Sequence, residues 1–147
     1  MKLVTMAGVM SFVTKIEGDS EKFYQELAGK YPETEETFLS FAKQNKKNEK
    51  FIKQTYFGVI TDTIEACYSF EGLDTDDYEF DADSSSNSNL ANVVKNALEI
   101  EDKIQAFYIR AADLSNSMMA DVPRVLRKTA QKREERKQKL QSILEKA

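Results

Sequence analysis

The stretch Ile100-Glu-Asp-Lys-Ile-Gln-Ala-Phe-Tyr108 decides the fold, because a near copy of it, Ile16-Glu-Gly-Asp-Ser-Glu-Lys-Phe-Tyr24, stands 84 residues earlier. In both copies an acid follows an isoleucine and precedes a tyrosine by seven residues, which is about two turns of an α-helix. Residues seven apart lie on one face of a helix. The sequence therefore predicts a duplicated helix pair in which Glu17 and Glu101 point inward, each on the same face as a tyrosine.

The composition indicates a single helical domain. A chain of 147 residues can bury one core. Its five glycines and two prolines are few for the many turns that a strand-rich fold needs. The formal net charge of -4 disfavours nucleic acid as a partner, since nucleic-acid binding depends on neutralising phosphates with a basic surface. No apolar run approaches the roughly 20 residues that span a bilayer. We expect one domain over residues 1–147 with no membrane role.

The single cysteine, Cys67, cannot form an intrachain disulfide, which fits a reducing cytoplasm. We expect it to be a small buried hydrophobe. The apolar stretch that ends at Val13 faintly resembles a secretion signal, but no small-x-small cleavage site follows it. The sequence therefore predicts a cytoplasmic protein.

Apolar positions at helical spacing predict four helices. The first covers about Val4 to Lys30, the second begins at Pro32, the third runs from about Ser88 to Met119, and the fourth opens after Asp121. Asp121 is expected to cap the fourth helix. The acidic and polar residues at about 71–88 predict a solvated linker between the second and third helices. The expected fold is an all-α four-helix bundle with one long crossover between helices 2 and 3.

The end of the second helix is open to two interpretations. Its apolar pattern continues through Ile64 and Cys67 as far as Phe70. Either Gly58 breaks this helix, or its far end overhangs the bundle. An overhang would expose apolar residues and favour self-association. The residues concerned are Phe57, Ile60, Ile64 and Tyr68.

The acids of the linker do not form a calcium-binding motif. Asp74, Asp76 and Asp77 begin a pattern like that of an EF-hand, which next needs an oxygen ligand and then a glycine. Tyr78 and Glu79 occupy those two positions. A solvated acidic loop is the expected structure.

The paired motifs resemble the ferritin-like superfamily and, within it, the rubrerythrin branch. The resemblance covers nearly the whole chain and implies an up-down-down-up bundle. In that family the first and third helices each supply a Glu, the second and fourth each supply a Glu-x-x-His, and these side chains hold two metal ions. Glu17 and Glu101 match the two single acids. If metal is bound, these two are the expected ligands.

The other ligand positions of the resemblance carry residues that do not fit a metal. Aligning Phe38-x-x-x-Ala42 with Leu126-x-x-x-Ala130 puts these positions at Asn45, Asn48, Arg133 and Arg136. Asparagine is a weak metal ligand, arginine is permanently protonated, and the chain contains no histidine. The resemblance therefore implies a degenerate di-iron site and no cofactor.

Two inward carboxylates need positive charge, because an unpaired buried acid costs several kcal/mol. We therefore expect Glu17, Glu101, Arg133 and Arg136 to form an ion-pair network, with Asn45 and Asn48 taking remaining donors. The hydroxyls of Tyr24 and Tyr108 are expected to bond to the inner acids. In the alternative interpretation, the side chains of both arginines reach the surface, and either Glu17 or Glu101 is in contact with water.

The sequence shows no nucleophile and base pair, no Gly-rich phosphate loop and no Cys/His cluster. It favours a non-enzymatic scaffold or partner-binding module, which acts as a homodimer or with another protein. The alternative is a metal-binding or peroxide-handling protein with an all-carboxylate site, in which Glu49, Glu134 or Glu135 joins Glu17 and Glu101. Helix phase disfavours it, because these three acids lie off the inner positions. Binding of a small apolar ligand between the helices stays open.

Overall fold

The computed structural model describes residues 1–60, 70–83, 89–116 and 119–147. Within these ranges, four long helices form: α1 (Met6–Lys30), α2 (Glu35–Val59), α3 (Leu90–Ser115) and α4 (Val122–Lys146). The described residues contain no strand, so the prediction of an all-α four-helix architecture is confirmed. Residues 61–69 and 84–88 lie outside the description, and the long crossover stays a prediction. None of the described helices has the length and apolar character needed to cross a membrane.

The core is made from one apolar face of each helix, at the spacing that the sequence predicts. Its main members are Val9, Val13, Ile16, Phe23 and Leu27 of α1, Phe38, Phe41, Ala42, Ile52 and Tyr56 of α2, Val93, Ala97, Ile100, Ile104, Phe107 and Ala111 of α3, and Leu126, Ala130 and Leu140 of α4. Phe51 is an apolar residue of α2 that lies outside the core and is 44% exposed. It lies about 100° around α2 from the buried Ile52, which turns its ring outward.

A short connection joins α1 to α2. The helix α1 ends at Lys30, and the N–H of Tyr31 donates to the carbonyl of Leu27 at 3.0 Å. Pro32–Thr34 then forms a single 3-10 turn, and α2 begins only at Glu35. The predicted start of the second helix was thus three residues early, because proline opens the 3-10 turn instead.

The helix α2 passes through Gly58 and ends at Val59. Ile60 has extended backbone angles, with φ at -106° and ψ at 143°. A continuous helix to Phe70 is therefore wrong, although the glycine itself is helical. Phe57 is 67% exposed at this end. The predictions for Ile64, Cys67 and Tyr68 concern residues outside the described ranges.

Residues 70–83 pack more closely than the predicted solvated linker. Leu73 and Thr75 are buried, and the ring of Tyr78 contacts that of Phe107 with their centroids 5.5 Å apart. The apolar residues interleaved with the acids supply this packing. Gly72 has a φ of 93°, which only glycine adopts readily. The acids of this segment are mostly exposed, as expected of a solvated loop, while its apolar residues pack on the bundle.

The first residues of the chain pair with this connection. The N–H of Leu3 donates to the carbonyl of Leu73 at 2.8 Å. The amino group of Met1 lies 3.1 Å from a carboxylate oxygen of Asp74 and 3.0 Å from one of Asp76. These two acids therefore face an ammonium group of the protein itself.

The ends of α3 and α4 differ from the predicted ones. Asn89 caps α3 by accepting from the N–H of Asn92 at 2.9 Å, and the helix ends at Ser115, short of Met119. Asp121 makes no side-chain cap on α4 and has a φ of 63°. It is the central residue of a tight turn in which the N–H of Val122 donates to the carbonyl of Ala120 at 2.7 Å. Asp121 therefore occupies the predicted N-cap position but makes no side-chain cap. This turn directs its carboxylate toward Arg124, 3.4 Å away.

Candidate functional site: a buried ion-pair network

All four helices bring polar side chains to the centre of the bundle. Glu17 comes from α1, Asn45 from α2, Glu101 from α3, and Arg133 and Arg136 from α4; all five are buried. Each occupies a position that its helix would otherwise fill with an apolar core residue. Three residues separate Arg133 from Arg136, so both lie on the inner face of α4. Lys137, which follows Arg136, is only partly buried and lies further out.

Arg133 is the central cation of this network. Its Nη1 lies 2.9 Å from both carboxylate oxygens of Glu101, and its Nη2 lies 2.6 Å from Oε2 of Glu17. Nη1 also lies 3.4 Å from the hydroxyl of Ser20. The side chain of Arg133 is 0% exposed. One guanidinium group therefore joins the two acids that the repeated motif places inside the bundle.

Arg136 is the second cation of the network and lies toward α2. Its Nη1 donates to Oδ1 of Asn45 at 2.7 Å and to Oε1 of Glu101 at 3.2 Å. Its Nη2 donates to the carbonyl of Phe41 at 3.1 Å and to the amide oxygen of Gln44 at 3.2 Å. The Arg136 guanidinium carbon also lies 4.8 Å from the centroid of the Phe41 ring. Such cation–π contacts add to the attraction of the acids.

The two tyrosines are crossed between the repeats. The hydroxyl of Tyr24, on α1, donates to Glu101 on α3 at 2.8 Å. The hydroxyl of Tyr108, on α3, donates to Glu17 on α1 at 2.5 Å. Each motif therefore supplies the hydroxyl that binds the acid of the other motif. The crossing ties the two helix pairs together at the level of the acids.

Asn45 and Asn48 have different surroundings. The amide nitrogen of Asn45 donates to the carbonyl of Glu17 at 3.0 Å, while its oxygen accepts from Arg136. Asn48 is buried but forms no hydrogen bond with any network residue that the structure describes. Seven of the eight predicted site residues are thus brought together, and Asn48 lies beside them at the α2–α4 boundary.

Sequence reasoning missed two members of the site. Ser20 lies three residues after Glu17 on the same face of α1, so its helical phase was a signal that could have found it. Gln44 precedes Asn45 and reaches Arg136 from the edge of α2, which no spacing rule indicated. Both residues give oxygen atoms to the guanidinium groups.

Electrostatics favour the charged form of the network. Burial alone raises the pKa of Glu101, but Arg133 and Arg136, together with the Tyr24 hydroxyl, outweigh it and hold that pKa below its usual value. Burial likewise lowers the pKa of Arg133, and the attraction of Glu101 and Glu17 outweighs it, so this pKa lies above its ordinary value. The two acids and two arginines have formal charges that sum to zero. The network is therefore built from charged groups but carries no net charge.

The tyrosines are held in their neutral form. Burial raises the pKa of Tyr24 well above 10.0, and the nearby charge of Glu101 raises it further. Burial and the charge of Glu17 do the same for Tyr108. Both hydroxyls therefore act as hydrogen-bond donors to the acids near neutral pH and resist giving up their protons.

The guanidinium groups are not fully satisfied. The Nε atoms of Arg133 and Arg136 are buried and have no hydrogen-bond partner among the described residues. An unpaired buried donor costs about 1 to 3 kcal/mol. The network therefore fits its acids well but leaves the Nε–H of each arginine unused.

The residues of this site do not fit a metal ion. Glu17 and Glu101 already bind guanidinium groups, which cannot act as ligands. Among the described residues, no group of three or more His, Cys, Asp or Glu could hold a metal ion. The additional acids of the all-carboxylate alternative lie outside the core. Glu49 lies 3.6 Å from Lys53, Glu134 contacts Gln105 and Lys137, and Glu135 is exposed.

Searches with protein-family models, curated proteins and solved structures find no match to this chain. The buried network forms a closed, charge-balanced core in which each carboxylate has a cation and a hydroxyl.

Proposed function

We propose that this protein is a non-enzymatic scaffold or partner-binding module. It is a relative of the rubrerythrin branch of the ferritin-like superfamily, and a Glu/Arg ion-pair network replaces the two metal ions of that family. The resemblance of the repeated Glu and Tyr motifs to those of the family supports this proposal. So does the arrival of side chains from all four helices at one buried point.

The observation that carries the proposal is the guanidinium group of Arg133 between the two acids. It lies 2.9 Å from Glu101 and 2.6 Å from Glu17, which is the place where a metal would need to bind both. A guanidinium group has no lone pair to offer and carries a permanent charge. It therefore supplies the positive charge without redox or Lewis-acid chemistry, and a structural role follows.

A second copy of the chain is the partner that we propose first. Phe57 is 67% exposed and Phe51 is 44% exposed, and both lie on α2. Exposed apolar side chains on a surface favour association, because covering them removes apolar area from water. Light scattering should give the mass of two chains, and Phe57→Ser should shift the protein toward the monomer. A wild-type monomer at high concentration would contradict the dimer.

Metal content tests the loss of the metal site. The wild-type protein is expressed with added iron, manganese and zinc, dialysed gently and measured by mass spectrometry. We expect far less than one ion per chain. One or two ions per chain would overturn the proposal and make the all-carboxylate alternative the better one.

A matched variant tests whether this is the former metal site. It carries ligand side chains at the four substituted positions, namely Asn45→Glu, Asn48→His, Arg133→Glu and Arg136→His. We expect this variant to gain metal in the same protocol, because it presents carboxylates and imidazoles around Glu17 and Glu101. A folded variant that stays free of metal would argue against the proposed ancestry, while leaving the ion-pair core of the wild type intact.

A cytoplasmic location stays part of the proposal. It rests on the single cysteine, which is what a reducing compartment allows.

A further inference from the structure

A small basic pocket opens between α2 and α4, next to the ion-pair network. Its volume is about 170 Å³, and both Asn48 and Arg136 lie in its wall. Pockets for drug-sized ligands usually measure roughly 300 to 1,000 Å³. Any ligand of this pocket must therefore be small.

Three lysines surround the pocket, namely Lys47, Lys132 and Lys139. All three are exposed, and none forms a salt bridge with a residue in the described ranges. Glu135 is the one acid among the described lining residues. Since the charge of Arg136 is balanced by Glu101 inside the bundle, the lysines and Glu135 leave a formal charge of +2 facing the pocket.

Asn48 adds a polar group to the pocket wall. The residue is 3% exposed, and its amide forms no hydrogen bond with a residue that the structure describes. Among the described residues, the fully buried side-chain atoms without a partner are the Nε atoms of the two arginines, so the amide of Asn48 is open to the pocket. An amide offers two N–H donors and one oxygen. A bound group with acceptor oxygens would satisfy the Asn48 donors.

We propose that this pocket binds a phosphate group, either as free phosphate or as the end of a small phosphomonoester. The Asn48 amide donates to one phosphate oxygen, and the ammonium groups of Lys47, Lys132 and Lys139 surround the others. A phosphomonoester carries a charge of about -1.5 to -2 near pH 7, which matches the +2 of the pocket wall. Lysine ammonium groups are common phosphate binders because they act as compact positive charges.

Gln44 connects the pocket to the ion-pair network. This residue lines the pocket, and its amide oxygen accepts from Nη2 of Arg136. The proposal does not depend on the ancestry of the network, because it rests only on the charges and the unpaired amide of this surface. A ligand that binds only the folded chain raises its stability by mass action.

Thermal unfolding of the full chain in rising sodium phosphate tests the proposal. Ionic strength is held constant with sodium chloride. We expect the midpoint to rise with phosphate and then saturate. Lys132→Gln and Lys139→Gln should each weaken the apparent affinity about fivefold, since each removes one charge from the pocket. Glu135→Gln should strengthen it by a similar factor, because it removes the acid that repels phosphate.

Two further variants make the test specific. Lys128→Gln is the matched control, since Lys128 is an exposed lysine of the same helix that does not line the pocket. It should leave the phosphate response unchanged. Asn48→Ala should abolish most of the response whatever its own midpoint is. An equal response to chloride alone, an equal loss in Lys128→Gln, or a full response in Asn48→Ala would each overturn the proposal.

Two ligands separate the possible sources of the phosphate group. Inorganic phosphate and glycerol 3-phosphate are titrated under the same conditions. A response to inorganic phosphate alone identifies the free ion as the ligand, because the pocket then rejects the ester. A response to both identifies the phosphate group of a larger molecule. No response to either overturns the proposal.

Discussion

Arg133 stabilises the bundle only as long as both of its acids are present. Its side chain is fully buried, and so are those of Glu17 and Glu101. Bringing such groups out of water is costly, so the whole set contributes less net stability than its short distances suggest. Removing one member is different, because the others stay buried without a counter-charge. Single substitutions should therefore have large effects.

Arg133→Ala should lower the free energy of unfolding by roughly 3 to 5 kcal/mol, because it leaves two buried carboxylates short of a cation. Urea denaturation measures this difference. Arg133→Lys should recover only part of the loss, since one ammonium group cannot form the parallel hydrogen bonds of a guanidinium group.

The matched control for this prediction is Arg127→Ala, on the same helix. Arg127 is exposed and lies 3.2 Å from a carboxylate oxygen of Asp113. Exposed pairs of this kind contribute about 0 to 1 kcal/mol. Similar losses in Arg127→Ala and Arg133→Ala would show that Arg133 is not buried among the acids in solution.

At the scale of the helices, spacing predicts most of what forms the core. The seven-residue interval between Glu and Tyr predicts that both motifs face the interior of the bundle. The same helical spacing predicts the apolar positions that pack around them. Spacing could not show that Tyr24 binds Glu101 rather than Glu17, because that choice depends on how far two helices are shifted along each other. It also could not show where α2 ends, since Gly58 tolerates a helix and the chain turns away at Ile60.

The start of α4 depends on a turn that the sequence did not indicate. Asp121 was expected as a cap because acids are common before a helix. Its φ of 63° instead makes it the centre of a strained turn. Local backbone angles of this kind depend on the geometry of the connection between α3 and α4. No residue pattern within the turn indicates them.

Asp121→Gly should raise the free energy of unfolding by about 0.5 to 1 kcal/mol. Glycine removes the strain of a positive φ, and this gain is partly offset by the greater freedom of the unfolded chain. Chemical denaturation measures the change. Glu79→Gly is the control, because Glu79 has a φ of -69° and should only lose stability. A gain in both variants, or in neither, would show that the strained turn is absent.

At the scale of the whole molecule, the network limits the pH range of the fold from both sides. The pKa of Glu101 is lower in the folded chain than its ordinary 4.5, so its contribution is full above that value and is lost as pH falls through the folded pKa. The pKa of Tyr24 is raised above its ordinary 10.0, so its contribution is full below pH 10 and is lost as pH rises. Tyr108 behaves as Tyr24 does.

The contribution of the network to the free energy of unfolding should therefore be nearly constant between these limits and fall outside them. Each unit by which the pKa of a group differs between the folded and unfolded chain changes the free energy of unfolding by about 1.4 kcal/mol. Denaturation at a series of pH values measures the curve, and the ultraviolet absorbance of ionised phenol follows the tyrosines. Part of the phenol signal should appear only when the chain unfolds.

Tyr108→Phe separates this effect from general alkaline unfolding. It should flatten the alkaline limb, because one buried hydroxyl no longer titrates on unfolding. The control is Tyr31→Phe, which alters a half-buried ring at the end of α1 instead. If Tyr108→Phe leaves the alkaline limb as steep as the control does, the hydroxyl of Tyr108 is not buried against an acid.

The charges of the crossed network are divided unequally between the two helix pairs. The first helix pair brings one buried negative charge to the centre, from Glu17, and neutral asparagines. The second brings Glu101 with Arg133 and Arg136, so it is positive by one. Two copies of the first pair would bury a charge of -2, and two copies of the second would bury +2. Only the unlike combination of the two helix pairs is neutral, so each pair needs the other to balance its buried charge.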